Sequence, residues 1–185
     1  MTSNDIALLR MHYETHWHSL AHVRGWTKGR RIGLPQDFAV LEFPPHGERP
    51  LWTYATSGMS QGSDQTRIEL HLFAPAQDQS HVELLHAVAH YHRTGARLGL
   101  SHTVNFGRPW LPSSACTHGL ISLPYLDGPA LEWCSTPGGK IRCLWLVPIT
   151  PPELQFKKAQ GVEALEARFD ALRFDYADPT RPSVV

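Results

Sequence analysis

The sequence predicts an α+β fold, a central mixed and mostly antiparallel β-sheet flanked by helices. Three observations carry this expectation. Ile68, Leu70 and Leu72 alternate with Glu69 and His71, which is the period of a strand. Residues 80–94, SHVELLHAVAHYHRT, switch to helical period, with Val82, Leu85, Val88 and Ala89 on one face and Leu84, Tyr91 and His92 beside it. Residues 141–149, IRCLWLVPI, are nearly all apolar, as in a strand covered on both faces.

Taken in order, residues 6–23 form the first expected helix. Its stripe runs through Leu8, Met11, His12, Thr15, Ser19 and His22, with Leu9, Tyr13, Trp17 and Leu20 close by. Asp5 or Asn4 can cap it, and Gly25 with the basic run beyond suits its end. Residues 37–43 read as a strand that stops at Pro44-Pro45, because proline cannot continue a ladder. The β-prone runs 50–56 and 67–74 follow, joined by a connection containing Gly58, Ser60, Gly62, Ser63 and Asp64. Three strands with short connections predict an antiparallel meander. The alternation in the last of them predicts Glu69 and His71 on a polar face toward water.

The helix over 80–94 has Ser80 as a natural cap, Glu83 three residues on, and Gly95 as its stop. It is expected to lie across one face of the sheet. An extended piece at 98–105 and a loop at 107–114 lead to a strand at 117–124. Residues 130–134 and 141–149 read as the arms of a hairpin closed by the turn 135–139. Thr150 with Glu153 forms a capping box, and Pro151 and Pro152 fit the first turn of a helical region reaching 173. Gly161 should break that region, after which Val162, Leu165, Phe169 and Leu172 make its apolar stripe.

Composition narrows the function classes. The 185 residues are enough for one domain over 1–185, and 42% hydrophobic with 18% charged residues suits a folded chain. Seventeen basic and seventeen acidic residues cancel, so no global field attracts nucleic acid or an anionic membrane. The run from Arg24 to Arg31, with Trp26 inside it, has the chemistry to stack a base but reads as a solvated connector. No secretory leader and no apolar run of about 18 residues is visible, so the expected compartment is the cytoplasm, without membrane or nucleic-acid partners. Cys116, Cys134 and Cys143 show no CxxC spacing and are expected to stay reduced.

Catalytic signatures are absent. There is no phosphate loop, no GxGxxG, no GxSxG elbow and no HExxH. His12 and His16 share a helix face at the spacing of two zinc ligands, yet no glutamate follows His12 and no cysteine lies near. The twelve histidines are scattered along the chain, so neither metal nor cofactor is expected. Glu42 and Glu48 resemble paired acids, but one is expected in solvent and the other paired with Arg49. The chain therefore reads as a non-enzyme. The alternative is a small hydrolase or metal-dependent enzyme built on the histidines.

EFPPHGERPLWTYATSGMS at 42–60, followed by TRIELHLFAP at 66–75, resembles the Suppressor of fused family. KIRCLWLVPITPPELQFKKAQGVEALEARFD at 140–170 and the docked-looking tail from Asp178 are similar to it as well, so the resemblance spans about 35–185 and leaves the first helix as its least typical part. It implies the fold of that family's N-terminal domain in a bacterial single-domain member, without the second domain with which animal members clamp a Gli peptide. AHYHRTGARLGLSHTVNFG at 89–107 matches the layout in which animal members grip that peptide. The resemblance places binding at Tyr91, Ser101 and His102, with Ser101 standing where animal members carry an acidic residue. It implies a non-catalytic protein-binding module, with a toxin or a peptide segment as partner, acting as an immunity protein.

Overall fold

A computed structural model describes residues 1–25 and 33–185 of the chain. The elements are α1 (Ser3–Trp17), β1 (His22–Arg24), β2 (Ala39–Phe43), β3 (Trp52–Ser57), β4 (Ile68–Ala74), α2 (Gln79–Thr94), β5 (Thr103–Asn105), β6 (His118–Ser122), α3 (Pro129–Glu132), β7 (Trp133–Thr136), β8 (Gly139–Ile149), α4 (Pro151–Gln160) and α5 (Val162–Leu172). The strands form one sheet in the order β1-β2-β3-β4-β8-β6-β5, with β7 paired to the start of β8. Every pairing is antiparallel except β4 with β8, which is parallel from Ile68↔Arg142 to His71↔Trp145. The expected mixed α+β sheet is what forms, β2–β4 are the expected three-strand meander, and β1 adds to its edge a strand that was expected to be helix.

Strand alternation sorts side chains into two faces. On one, Ile68, Leu70, Leu72, Leu144, Leu146 and Ile121 meet Val82, Leu85, Val88 and Ala89 of α2. On the other, Leu41, Phe43, Ala55 and Cys143 meet Leu9, Tyr13 and Trp17 of α1. Farther along that second face, Phe73, Leu120, Trp145 and Val147 meet Leu154 of α4 and Leu165 and Phe169 of α5. The sheet is thus a middle layer between α2 and the other helices. The apolar run in β8 is explained by this double cover.

The second face corrects one expectation. Glu69 and His71 do not look toward water; both are 0% exposed. Helix α1 covers them, with the Trp17 and His71 rings 5.6 Å apart. Glu69 is tolerated there because Thr56 Oγ1 (2.6 Å) and the backbone N–H groups of Gly58 (3.1 Å), Met59 (3.2 Å) and Ser60 (3.2 Å) all donate to it.

The first helix is also shorter than expected. Thr2, not Asn4 or Asp5, is its N-cap and forms a capping box with Asp5. The helix ends at Trp17 because His18 turns left-handed at φ 50°, its N–H donating to the Glu14 carbonyl. Residues 22–24 then pair with β2 as an edge strand, Val23 opposite Leu41. The buried stripe is Asp5, Leu9, Tyr13 and Trp17, whereas Met11 and Leu20 are 56% and 74% exposed. Asp5 is buried because Arg67 Nη2 (3.1 Å) and the Gly138 N–H (3.2 Å) donate to it. Gly138 is required at that turn, since a Cβ there would sit 2.5 Å from Asp5 Oδ2.

Two further boundaries move. Asp78 rather than Ser80 caps α2, accepting from the Ser80 N–H at 2.7 Å. Residues 130–132, expected to begin a hairpin arm over 130–134, belong instead to the short helix α3 with proline in its first turn, and the arm starts at Trp133. Thr150 and Glu153 form the expected capping box, and Gly161 separates α4 from α5. Cys116, Cys134 and Cys143 are buried free thiols, and burial pushes the Cys134 thiol up to about 11.

Buried histidines on α2 make stability depend on acid. His81 lies against Tyr54 and Trp110 at 4.9 and 5.7 Å between rings, and His92 Nδ1 accepts from the Leu98 N–H at 3.0 Å. Burial lowers each to about 4, with Asp78 opposing and Arg108 assisting at His81, and Arg97 and Arg93 assisting against Asp64 at His92. An unfolded histidine titrates near 6.5, so their contribution is whole above about pH 6.5 and is lost as pH falls toward about 4. The loss should be on the order of 2–3 kcal/mol per histidine. Urea unfolding at pH 7 and pH 4.5 should show it, and His92→Asn should flatten the slope. An unchanged slope in that variant would assign the acid loss to other groups.

Candidate functional site

Tyr91 lies in the last turn of α2 and is 44% exposed. Gly95 closes the helix, its N–H donating to the Tyr91 carbonyl at 2.8 Å. A Cβ at Gly95 would lie 2.9 Å from two Tyr91 ring carbons, so the bare glycine lets the ring lie along the backbone. The same helix end is fixed by Asp64, which takes Arg93 Nη1 at 2.6 Å and Arg97 Nη1 at 3.5 Å. Those two guanidinium groups and the Gln61 N–H hold the Asp64 carboxyl below its ordinary range against the opposing effect of burial.

Ser101 and His102 begin the edge of the sheet. Ser101 adopts φ 64°, and its N–H donates to the Ile121 carbonyl at 2.8 Å. The Ile121 N–H returns a bond to the His102 carbonyl at 2.9 Å, and Phe106 N–H donates to the Thr117 carbonyl at 3.0 Å. With Thr103 opposite Leu120 and Asn105 opposite His118, antiparallel parity turns the N–H and C=O of Thr103 and Asn105 away from β6. No other strand lies beyond β5 among the described residues. The His102 side chain is exposed. The structure therefore puts Tyr91 on α2 and Ser101 and His102 in the turn that leads into β5, but no hydrogen bond, ion pair or ring contact joins Tyr91 to either of the others.

The residues weighed for chemistry are otherwise engaged. The His12 ring Nε2 lies 2.8 Å from the Leu131 carbonyl and His16 Nδ1 lies 2.8 Å from the His12 carbonyl. Among the described residues no three His, Cys, Asp or Glu side chains are grouped to hold a metal ion. Glu42 is 1% exposed and is held by Gln77 Nε2 at 2.8 Å and Arg24 at 3.7 Å. Arg49 pairs with Asp127 at 2.5 Å instead of with Glu42 or Glu48, because the 125–127 turn brings that carboxylate over the sheet. Asp127 also accepts from Trp17 Nε1 at 2.9 Å and lies 3.4 Å from His71 Nε2. Neither ring nitrogen of His71 has a hydrogen-bonded protein hydroxyl. Lys28, Arg30 and Arg31 of the expected basic connector lie outside the described residues.

A cavity of about 550 Å³ lies on the sheet face away from α2, a feature the sequence reading did not find. Trp145, Phe169, Phe174, Tyr176 and Tyr125 supply aromatic walls, and Glu163, Glu166 and Asp170 of α5 line one side. These residues converge from β8, α5, the 125–126 turn and the segment after α5, so no local spacing announces them. No helix among the described residues is long and apolar enough to cross a membrane.

Comparison with known proteins fits this geometry. The Suppressor of fused protein family model matches residues 35–182. A Suppressor of fused homologue from Neisseria gonorrhoeae FA 1090 is similar at 33% identity and TM-score 0.87, over 100% of this chain and 98% of that one. The structure of the Sufu–Fu complex is similar at 18% identity and TM-score 0.68, over 97% of this chain and 90% of that one. Drosophila Suppressor of Fused is similar at 19% identity and TM-score 0.65, over 97% of this chain and half (50%) of that one. No curated protein matches the sequence.

Proposed function

The chain belongs to the Suppressor of fused family, and from that premise we propose that it is a non-catalytic protein-binding module that takes an extended partner segment along β5. The observation that carries this reading is the outward backbone of Thr103 and Asn105 on the last strand of the sheet, with Tyr91 exposed at the end of α2 as a second surface residue. An added strand would hydrogen-bond that edge, Tyr91 would anchor a side chain, and His102 would offer a polar contact. Sufu has been solved with a protein, Fu, which supports a protein as the class of partner. In its more specific form the reading makes the chain an immunity protein whose partner is a toxin. A toxin gene next to this one, and rescue of growth on co-expression, would support that form.

Affinity capture, with each captured protein retested in purified form, provides the test. Tyr91→Ala combined with Ser101→Arg should weaken binding by more than about 2 kcal/mol, the scale of a hot spot. Thr103→Pro should block the edge as well, since the N–H it removes faces away from β6. Both variants should melt near the wild-type temperature. Undiminished binding by both folded variants would move the site elsewhere, and turnover of a substrate would remove the reading.

A further inference from the structure

We propose that the cavity between α5 and the 125–126 turn seats a cationic side chain, lysine or arginine, of a partner protein. Its volume of about 550 Å³ falls within the roughly 300 to 1,000 Å³ of ligand cavities and leaves room for a long side chain together with part of the backbone that carries it. Its walls are aromatic, and the faces of Trp and Tyr attract cations. Charge then selects the occupant. Glu163, Glu166 and Asp170 are spaced three and four apart and so share one face of α5. Arg173 is the one cationic side chain in the lining, which leaves three carboxylates against one guanidinium.

None of those three carboxylates is in an ion pair among the described residues. Glu166 is instead oriented by two hydroxyls, Ser122 Oγ at 2.5 Å and Tyr125 Oη at 3.4 Å. Burial, Glu166 and Asp170 together push the Tyr125 phenol up, so the negative field is felt at the cavity mouth. A lysine or arginine suits the site in both parts, its alkyl stem along the rings and its charge at α5. Tyr125 is 58% and Leu126 51% exposed, so a partner's backbone has room outside. The cavity lies on the face opposite α2 and includes no β5 residue, so it can fail or hold independently of the β5 reading.

The test is a titration of the whole chain, followed by amide and indole NMR shifts at Trp145, Leu126 and Ala167. The probes are the N-acetyl methylamides of lysine, arginine, norleucine and glutamate, together with free cadaverine. Lysine and arginine probes should saturate these shifts at millimolar concentration, with norleucine at least tenfold weaker and glutamate without effect. Glu166→Gln with Asp170→Asn should weaken the cationic probes at least tenfold while the melting temperature and β5 shifts hold. Equal binding of norleucine, no saturation by lysine or arginine, or an unaffected double variant would overturn the proposal. Cadaverine binding tighter than the lysine amide would overturn its protein-partner form in favour of a free amine.

Discussion

Arg181→Ala should lower the unfolding free energy by about 3–5 kcal/mol, read from urea denaturation at pH 7. The guanidinium donates to both oxygens of Glu153, at 2.6 and 2.8 Å, and to the carbonyls of Pro148 at 3.0 Å and Pro182 at 3.1 Å. It also lies 5.0 Å from the centre of the Phe174 ring. Glu153 is 0% exposed and is bound in addition by the N–H groups of Thr150 and Val184. Burial pushes its carboxyl up, but Arg181 and those N–H groups hold it below the ordinary carboxylate range. Alanine at 181 would strand that charge in the interior, and the cost of an uncompensated ion is what sets the expected size. A loss under about 1 kcal/mol, the scale of a surface pair, would mean that solvent reaches Glu153 once the arginine is gone.

Glu69→Ala should cost about 4 kcal/mol. Three backbone N–H groups and the hydroxyl of Thr56 converge on this one carboxylate. Removing it leaves donors buried without acceptors, each an expense of about 1–3 kcal/mol that adds only in part. Glu69→Gln keeps one oxygen but turns an amide NH2 toward the donors, so about half the loss is expected. The 58–60 turn should also loosen, and faster amide exchange at Met59 and Ser60 would show it. Equal stability of wild type and Glu69→Ala would mean that water replaces the carboxylate.

What was legible in the sequence was local. The Thr150–Glu153 capping box, the break at Gly161 and the alternation of β4 depend on neighbours within a few residues, and the structure has them as expected. The end of α1 was not legible because a histidine, not a glycine, takes the left-handed position after it. Burial of Glu69 and His71 was hidden for a different reason. Alternation reports two faces but not what covers them, and the cover comes from α1 and the 125–127 turn, far away in sequence. Tyr91, Ser101 and His102 are candidates through the family resemblance alone, since nothing in their spacing marks an open edge. The cavity draws on residues from Ser122 to Tyr176, so only folding assembles it.

The parallel pairing of β4 with β8 also sets the order in which the chain can fold. Its first bridged pair, Ile68 and Arg142, is 74 residues apart, whereas β2, β3 and β4 close over connections of eight and ten residues. The meander can therefore form while the rest is still being made, leaving β4 as an open edge with Ile68, Leu70 and Leu72 on one face and Glu69 and His71 on the other. At roughly 5–20 residues per second of synthesis, that edge waits on the order of 4–15 s for its partner. Loop closure over such a separation is slow for an isolated chain as well. The seam that unites the halves of the mature sheet is, until β8 is made, an open edge of the kind that can pair with another copy.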